Sequence, residues 1–214
     1  MDSQRLQDRL YYGLGIAARR TGDFTDAFRP NGPDHPLAKS NRFLRLPASF
    51  LPMEGGETRA NGYGTALWQG LFDAAYTRPG DYLVQRERVF FVAAQQSLLP
   101  VLCIQANRTI SVSQPALQTN AASNPYGGYT ESGTSVLMNG WPANVLGANE
   151  KGEPAAGLPT DQLIPYIAVL MPASPGVTLS PGDLISDDLG RSAVIIGSEL
   201  SHLGWRLSAK LATT

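Results

Sequence analysis

The segment Pro79-Gly80-Asp81-Tyr82-Leu83-Val84-Gln85-Arg86-Glu87-Arg88-Val89-Phe90-Phe91-Val92 decides the fold, because it occurs in outline twice. Its second appearance starts at Pro181-Gly182-Asp183-Leu184-Ile185, passes through Asp187-Asp188-Leu189-Gly190-Arg191 and ends in Ala193-Val194-Ile195-Ile196. Proline fixes φ and glycine accepts positive φ, so Pro-Gly suits the two central positions of a type II turn. The aspartate that follows can accept backbone N–H groups and lock that turn. An apolar pair, a charged turn and an apolar strand come next in both copies. Each copy then ends in an alternating strand. In the first it runs through Val101, Leu102, Cys103 and Ile104, leading on to Ile110 and Val112. In the second, Trp205, Leu207, Ala209 and Leu211 recur with period two. This is the pattern of a small antiparallel barrel or sandwich. Either one unit is duplicated or a common turn-plus-hairpin pattern recurs by chance.

Composition agrees with that reading. Twenty-two glycines and 16 prolines in 214 residues exceed the average share of about 12 %, which breaks helices and supplies turns. With 43 % apolar residues grouped in blocks, the chain has material for a core. Charged residues are only 16 %, against about 25 % in ordinary domains, which suggests surface covered by neighbours or a coat of uncharged polar residues. Net charge is −1, so no basic stripe for gripping nucleic acid is expected. The first residues lack the apolar run of a signal peptide, and no stretch approaches the ~20 apolar residues of a membrane span. A reducing cytoplasm, or a particle assembled in it, is the expected setting.

Outward from the repeat, residues 4–20 predict the one convincing helix. Leu6, Leu10, Leu14 and Ala17 form an apolar stripe, weakened by Gly13 and Gly15. Such a helix must pack on its own β-unit or on a neighbouring copy. Strands are expected at Phe24–Arg29 and Arg42–Phe50, separated by a segment in which Pro30, Pro33 and Pro36 forbid helix and central strand. Leu67–Tyr76 reads as a short helical turn. The polar stretch after Pro115 reads as a linker or arm over 116–133, and Ile164–Met171 as a strand buried on both faces. The expected organisation is a mainly β chain: helix 1–20, first β-unit 21–115, linker 116–133 and second β-unit 134–214.

Groups that could carry chemistry are few. His202 lies near Glu199 and Ser201, and His35 beside Asp34, but the Gly-x-Ser-x-Gly nucleophile elbow is absent. One cysteine, Cys103, and two histidines exclude a tetrahedral Cys/His zinc site. Cys103, inside an apolar strand, reads as a buried, inert thiol. Asp187-Asp188 lacks the alternate spacing of a calcium loop and reads as a hairpin turn. No catalytic residue, cofactor or metal site is therefore expected. Trp68 and Trp205 read as core. Trp141, in Gly140-Trp141-Pro142, is a candidate interface anchor as well as a core candidate. Leu6, Leu10 and Leu14 on the helix, and Tyr126 and Tyr129 in the linker, complete the candidate interface residues.

Leu163–Ala209 resembles the small β-barrel neck proteins of long-tailed phages, the head-closure or stopper type. The elements that carry the resemblance are Ile167-Ala168-Val169-Leu170, Pro181-Gly182-Asp183-Leu184-Ile185, Asp188-Leu189-Gly190-Arg191, Val194-Ile195-Ile196 and Trp205-Arg206-Leu207. Residues 76–84 and 95–102 also look like segments of proteins encoded among phage virion-assembly genes. The resemblance implies a virion structural protein without catalytic residues. It implies copies of the chain in a ring, usually sixfold, between the portal or adaptor and the tail-terminator proteins, with DNA passing through without specific binding and no membrane. A tail-tube, baseplate or fibre subunit of the same particle, and a soluble β-barrel enzyme, are the alternatives. Single-barrel stoppers are shorter than this chain.

Overall fold

A computed structural model of the chain describes residues 3–53, 66–115, 133–148 and 166–212. Among these residues one α-helix, α1 (Ser3–Thr21), precedes twelve strands. Strands β1 (Asp23–Phe28), β2 (Arg42–Pro52), β3 (Leu67–Leu71), β4 (Tyr82–Gln85), β5 (Arg88–Ala94) and β6 (Val101–Ala106) close into one barrel. Strands β7 (Arg108–Pro115), β8 (Thr134–Ala148), β9 (Tyr166–Met171), β10 (Leu184–Asp187), β11 (Ser192–Ser201) and β12 (Gly204–Leu211) close into a second. The chain is thus mainly β, two small antiparallel barrels with an N-terminal helix. Their strand orders, β1-β2-β3-β6-β5-β4 and β7-β8-β9-β12-β11-β10, are one topology used twice.

The equivalence reaches single hydrogen bonds. Gly80 and Gly182 have φ of 95° and 98°, and their N–H groups donate to Val92 and Ile195, each at 2.8 Å. Asp81 and Asp183 accept at their carboxylates from the N–H of Arg78 (2.9 Å) and Ser180 (2.8 Å). Both strands after the turn bulge at the same place, between Val92 and Ala94 and between Ile195 and Gly197. The registers also align Leu46-Pro47-Ala48 of β2 with Trp141-Pro142-Ala143 of β8.

Closure explains where the sequence expectations shift. β7 pairs with β8 and β10, so the strand expected to end the first unit opens the second barrel, and the units exchange at Asn107. Leu67–Leu71 is strand, because it fills the slot between β2 and β6; only Ala74–Tyr76 makes a turn of 3₁₀ helix. In β9 burial alternates, since one side faces the barrel interior and the other is half-buried. The strand covered on both faces is β5: Phe90 and Val92 belong to the first barrel's interior, Phe91 and Ala93 to the cluster shared with the second.

That sharing joins the barrels. Tyr82, on the outside of the first barrel, meets the Trp141 ring edge-on at 6.0 Å and donates its hydroxyl to the Pro142 carbonyl at 2.8 Å. The Asn107 side chain bonds both N–H and C=O of Val145, and the Asn144 amide donates to the Gln105 carbonyl at 2.7 Å. The proline-rich segment after β1 straps the joint: His35 N–H donates to Asn139 O and Asn139 N–H to Pro33 O. The Trp141 indole N–H also donates to Pro33 O.

Each long strand is paired on only part of one side. β2 bonds β3 through Ser49–Pro52, and β8 bonds β9 through Asn144–Ala148, so that among the described residues the flank of each first half meets no further strand, although Asn139 of β8 bonds the backbone of Pro33 and His35. Exposed flanks of this kind invite pairing. In the first barrel α1 packs across it, touching β2, β3 and the Ala74–Tyr76 turn. Gly15 makes this approach possible, because a Cβ there would sit 3.1 Å from the Asp73 Cβ. In the second barrel the Pro33–His35 strap and the outer face of the first barrel lie over the corresponding region.

Candidate functional site

The candidate reactive groups among the described residues sit in different surroundings. Cys103 is fully buried between β3 and β5, and desolvation pushes its thiol well above the usual range. A thiol held protonated is a poor nucleophile. His35 (φ 41°) lies over Gly140, with a ring nitrogen 3.4 Å from the Asn139 amide. His202 is exposed in the turn between β11 and β12. Asp187 accepts from the N–H of Leu189 and of Arg191 and from the Arg191 guanidinium. Burial alone would raise its pKa, but those bonds and the Arg191 charge hold it below the ordinary carboxylate value. It is a hairpin lock. Among the described residues no group of three or more His, Cys, Asp or Glu side chains could hold a metal ion.

What the described surface offers is apolar contact area at three places. The first is a groove of about 180 Å³ along α1, lined by Tyr12, Ile16, Leu44, Pro47 and Tyr76 with Arg19 and Arg45 beside them. Tyr12 and Tyr76 are 67 % and 64 % exposed there, and Phe24, at 67 %, lies under the Arg45 guanidinium at 5.3 Å. The second is a hollow of about 350 Å³ between the barrels, where Met53, Leu99, Pro100 and Leu102 face Leu203 of the β11–β12 turn. The third is the outside of the β10–β11 hairpin, where Leu184 and Val194 are half-buried and Ile196 is 46 % exposed. An aqueous sheet face ordinarily carries polar residues at such outward positions.

The structure sorts the candidate interface residues. Leu6 is exposed, while Leu10 and Leu14 are half-buried under the helix. The stripe that packs hardest is rotated from the expected one, running through Tyr11, Gly15 and Ala18, because the flank of β2 needs small residues for a close approach. The exposed stripe, Tyr12 and Ile16 at i and i+4, escaped the sequence reading, although that spacing was there to find. Trp141 has no exposed surface. It does anchor an interface, but the one between the two barrels, so it is not available to another chain. Tyr126 and Tyr129 lie outside the described residues, as does most of the expected linker. Leu184, Val194 and Ile196 were read as strand residues, and nothing in their local pattern marks which side of the hairpin remains open.

No protein-family model matches the chain, and neither curated proteins nor solved structures give a match. The class that the fold itself defines is a tandem of two closed six-stranded barrels of equal topology, sealed to each other.

Proposed function

We propose that this chain is a structural subunit of a tailed bacterial virus, forming a ring in the neck that connects the capsid portal to the tail. The observation that carries the reading is apolar surface left on each of two barrels that are already locked together. Such surface on a rigid body fits repeated contact with copies or neighbours. Consistent with this, the segment that resembles stopper-type neck proteins folds as β9 to β12 of the second barrel. In the proposed particle the partners are further copies, a portal or adaptor below and tail-terminator proteins beyond, and DNA passes without sequence-specific contact. The work is fitting rather than chemistry.

Native mass spectrometry and negative-stain microscopy of the purified chain test the proposal. Closed rings, at high protein concentration or on addition of portal complexes, are expected. Threefold spikes would move the chain to a fibre, and a persistent monomer that turns over a small molecule would overturn the structural reading.

A further inference from the structure

The internal repeat gives each outer face of the first barrel a counterpart in the second, and one counterpart is uncovered by the described residues. Through the paired registers, Tyr82, Phe91, Ala93 and Ile104 correspond to Leu184, Val194, Ile196 and Lys210. The first four are at most 4 % exposed, buried where the first barrel meets the second. Three of their counterparts remain apolar, yet they face outward on β10 and β11, with Ile196 46 % exposed. The second barrel thus repeats the surface with which the first covers its neighbour, but no described residue of the chain covers it.

The first barrel indicates what the neighbour is. With its Pro33–His35 strap, it covers one side of β8 through Tyr82 on Trp141 and Pro142 and through the backbone bonds to Asn139, and α1 packs on the equivalent strand β2. A further layer in the same stacking order would therefore meet α1 of another copy. The groove of Tyr12, Ile16, Leu44, Pro47 and Tyr76 lies there, open and mainly apolar, with Arg19, Arg45 and Asp73 also in its walls. We infer that the outer face formed by Leu184, Val194 and Ile196 docks into the α1 groove of a second copy, head to tail. The contact rests on the proposed structural role and specifies its geometry. Being heterologous, it uses each surface once per subunit and closes into a ring or grows into a filament. A contact of the β10–β11 face with its own twin would instead stop at a dimer and leave the α1 groove empty.

Cysteine cross-linking reads this directly, because the single native thiol, Cys103, is fully buried. Ile196→Cys and Ile16→Cys replace outward side chains and leave both barrel interiors intact. Mixed under mild oxidation, the two variants are expected to form disulfide dimers with each other, and neither is expected to do so alone. Dimers of Ile196→Cys alone, or no dimers in the mixture, would overturn the inference. In a second measurement, Ile196→Asp and Ile16→Asp should each weaken self-association in sedimentation by roughly tenfold or more, the loss expected for charging an apolar anchor. Rings that persist in Ile196→Asp would remove this contact while leaving the ring reading standing. A wild-type chain that never self-associates would remove the contact, and with portal-dependent rings absent as well, the ring reading too.

Discussion

Asp81 and Asp183 occupy the same corner of two barrels with one topology, and they keep different company. Both carboxylates are at most 2 % exposed, and both accept from the N–H three residues back. Around Asp81 a second layer is added: the Arg29 guanidinium forks onto both oxygens at 2.9 and 2.7 Å and also donates to the Tyr76 carbonyl. The register places Gln114 at the corresponding position of the second barrel, where it is exposed. The shared bond belongs to the turn itself. The ion pair belongs to the joint, since it ties the end of β1, where the strap begins, to the turn that precedes β4. The corner was kept, and the one beside the inter-barrel contact was reinforced.

The comparison is broken hardest at another matched pair, Leu46 and Trp141. Both point into their barrels, but only Trp141 also carries the contacts to Tyr82 and Pro33. Trp141→Ala should cost about 3–5 kcal/mol and Leu46→Ala about 2–4 kcal/mol. Only the tryptophan variant should uncouple the barrels, turning one denaturant transition into two when followed by hydrogen exchange on each barrel. One coincident transition in Trp141→Ala would show that the strap and Asn107 hold the joint without it.

A smaller effect separates the two aspartates. Asp81→Asn removes a charge-assisted fork and should cost about 2–3 kcal/mol. Asp183→Asn keeps an acceptor for the Ser180 N–H and should cost about 1 kcal/mol. Arg29→Gln converts the first corner toward the second, and in that background Asp81→Asn should fall to the smaller value. A double-mutant cycle in urea gives the coupling. Equal losses for both aspartates in the wild-type background would mean that the ion pair adds nothing to the turn.

These pairs also show what was readable beforehand. The two turns, the hairpins after them and the alternating final strand are set by local chemistry: a proline that fixes φ, a glycine that accepts positive φ and side chains of period two. They could be read from short windows. Barrel closure is not local. Leu67–Leu71 carries a mixed pattern and becomes strand only because β2 and β6 flank it. β7 has no mark assigning it to the second barrel, since its partners β8 and β10 lie far along the chain. Trp141 read as a candidate interface anchor, and its place inside the chain could not be read, because Tyr82 and Pro33, its partners, lie about 60 and 108 positions away. The same limit hid the outward face of Leu184, Val194 and Ile196, which is recognisable only after the two barrels are superposed in register.

The smallest effect compares Gln85 with Asp187, the matched residues that close β4 and β10. Gln85 is neutral, donates to the Ala48 carbonyl at 2.8 Å and accepts from Arg88. Asp187 does the corresponding work with a charge, and its side chain is 6 % exposed beside Arg191. Because its folded pKa lies below the ordinary carboxylate value near 3.9, its contribution is fully present above that ordinary value. It is lost as pH falls from there through the lower folded value. Acid should therefore loosen the β10–β11 hairpin before the β4–β5 hairpin, by about 1 kcal/mol. Hydrogen exchange measured at pH 6 and near pH 3, after correction for intrinsic rates, should show protection falling in residues 184–196 and holding in 82–94. Asp187→Asn should remove that pH dependence while lowering the hairpin's protection at neutral pH. Equal acid sensitivity of the two hairpins would mean that the charge at Asp187 is incidental to how the second barrel is held.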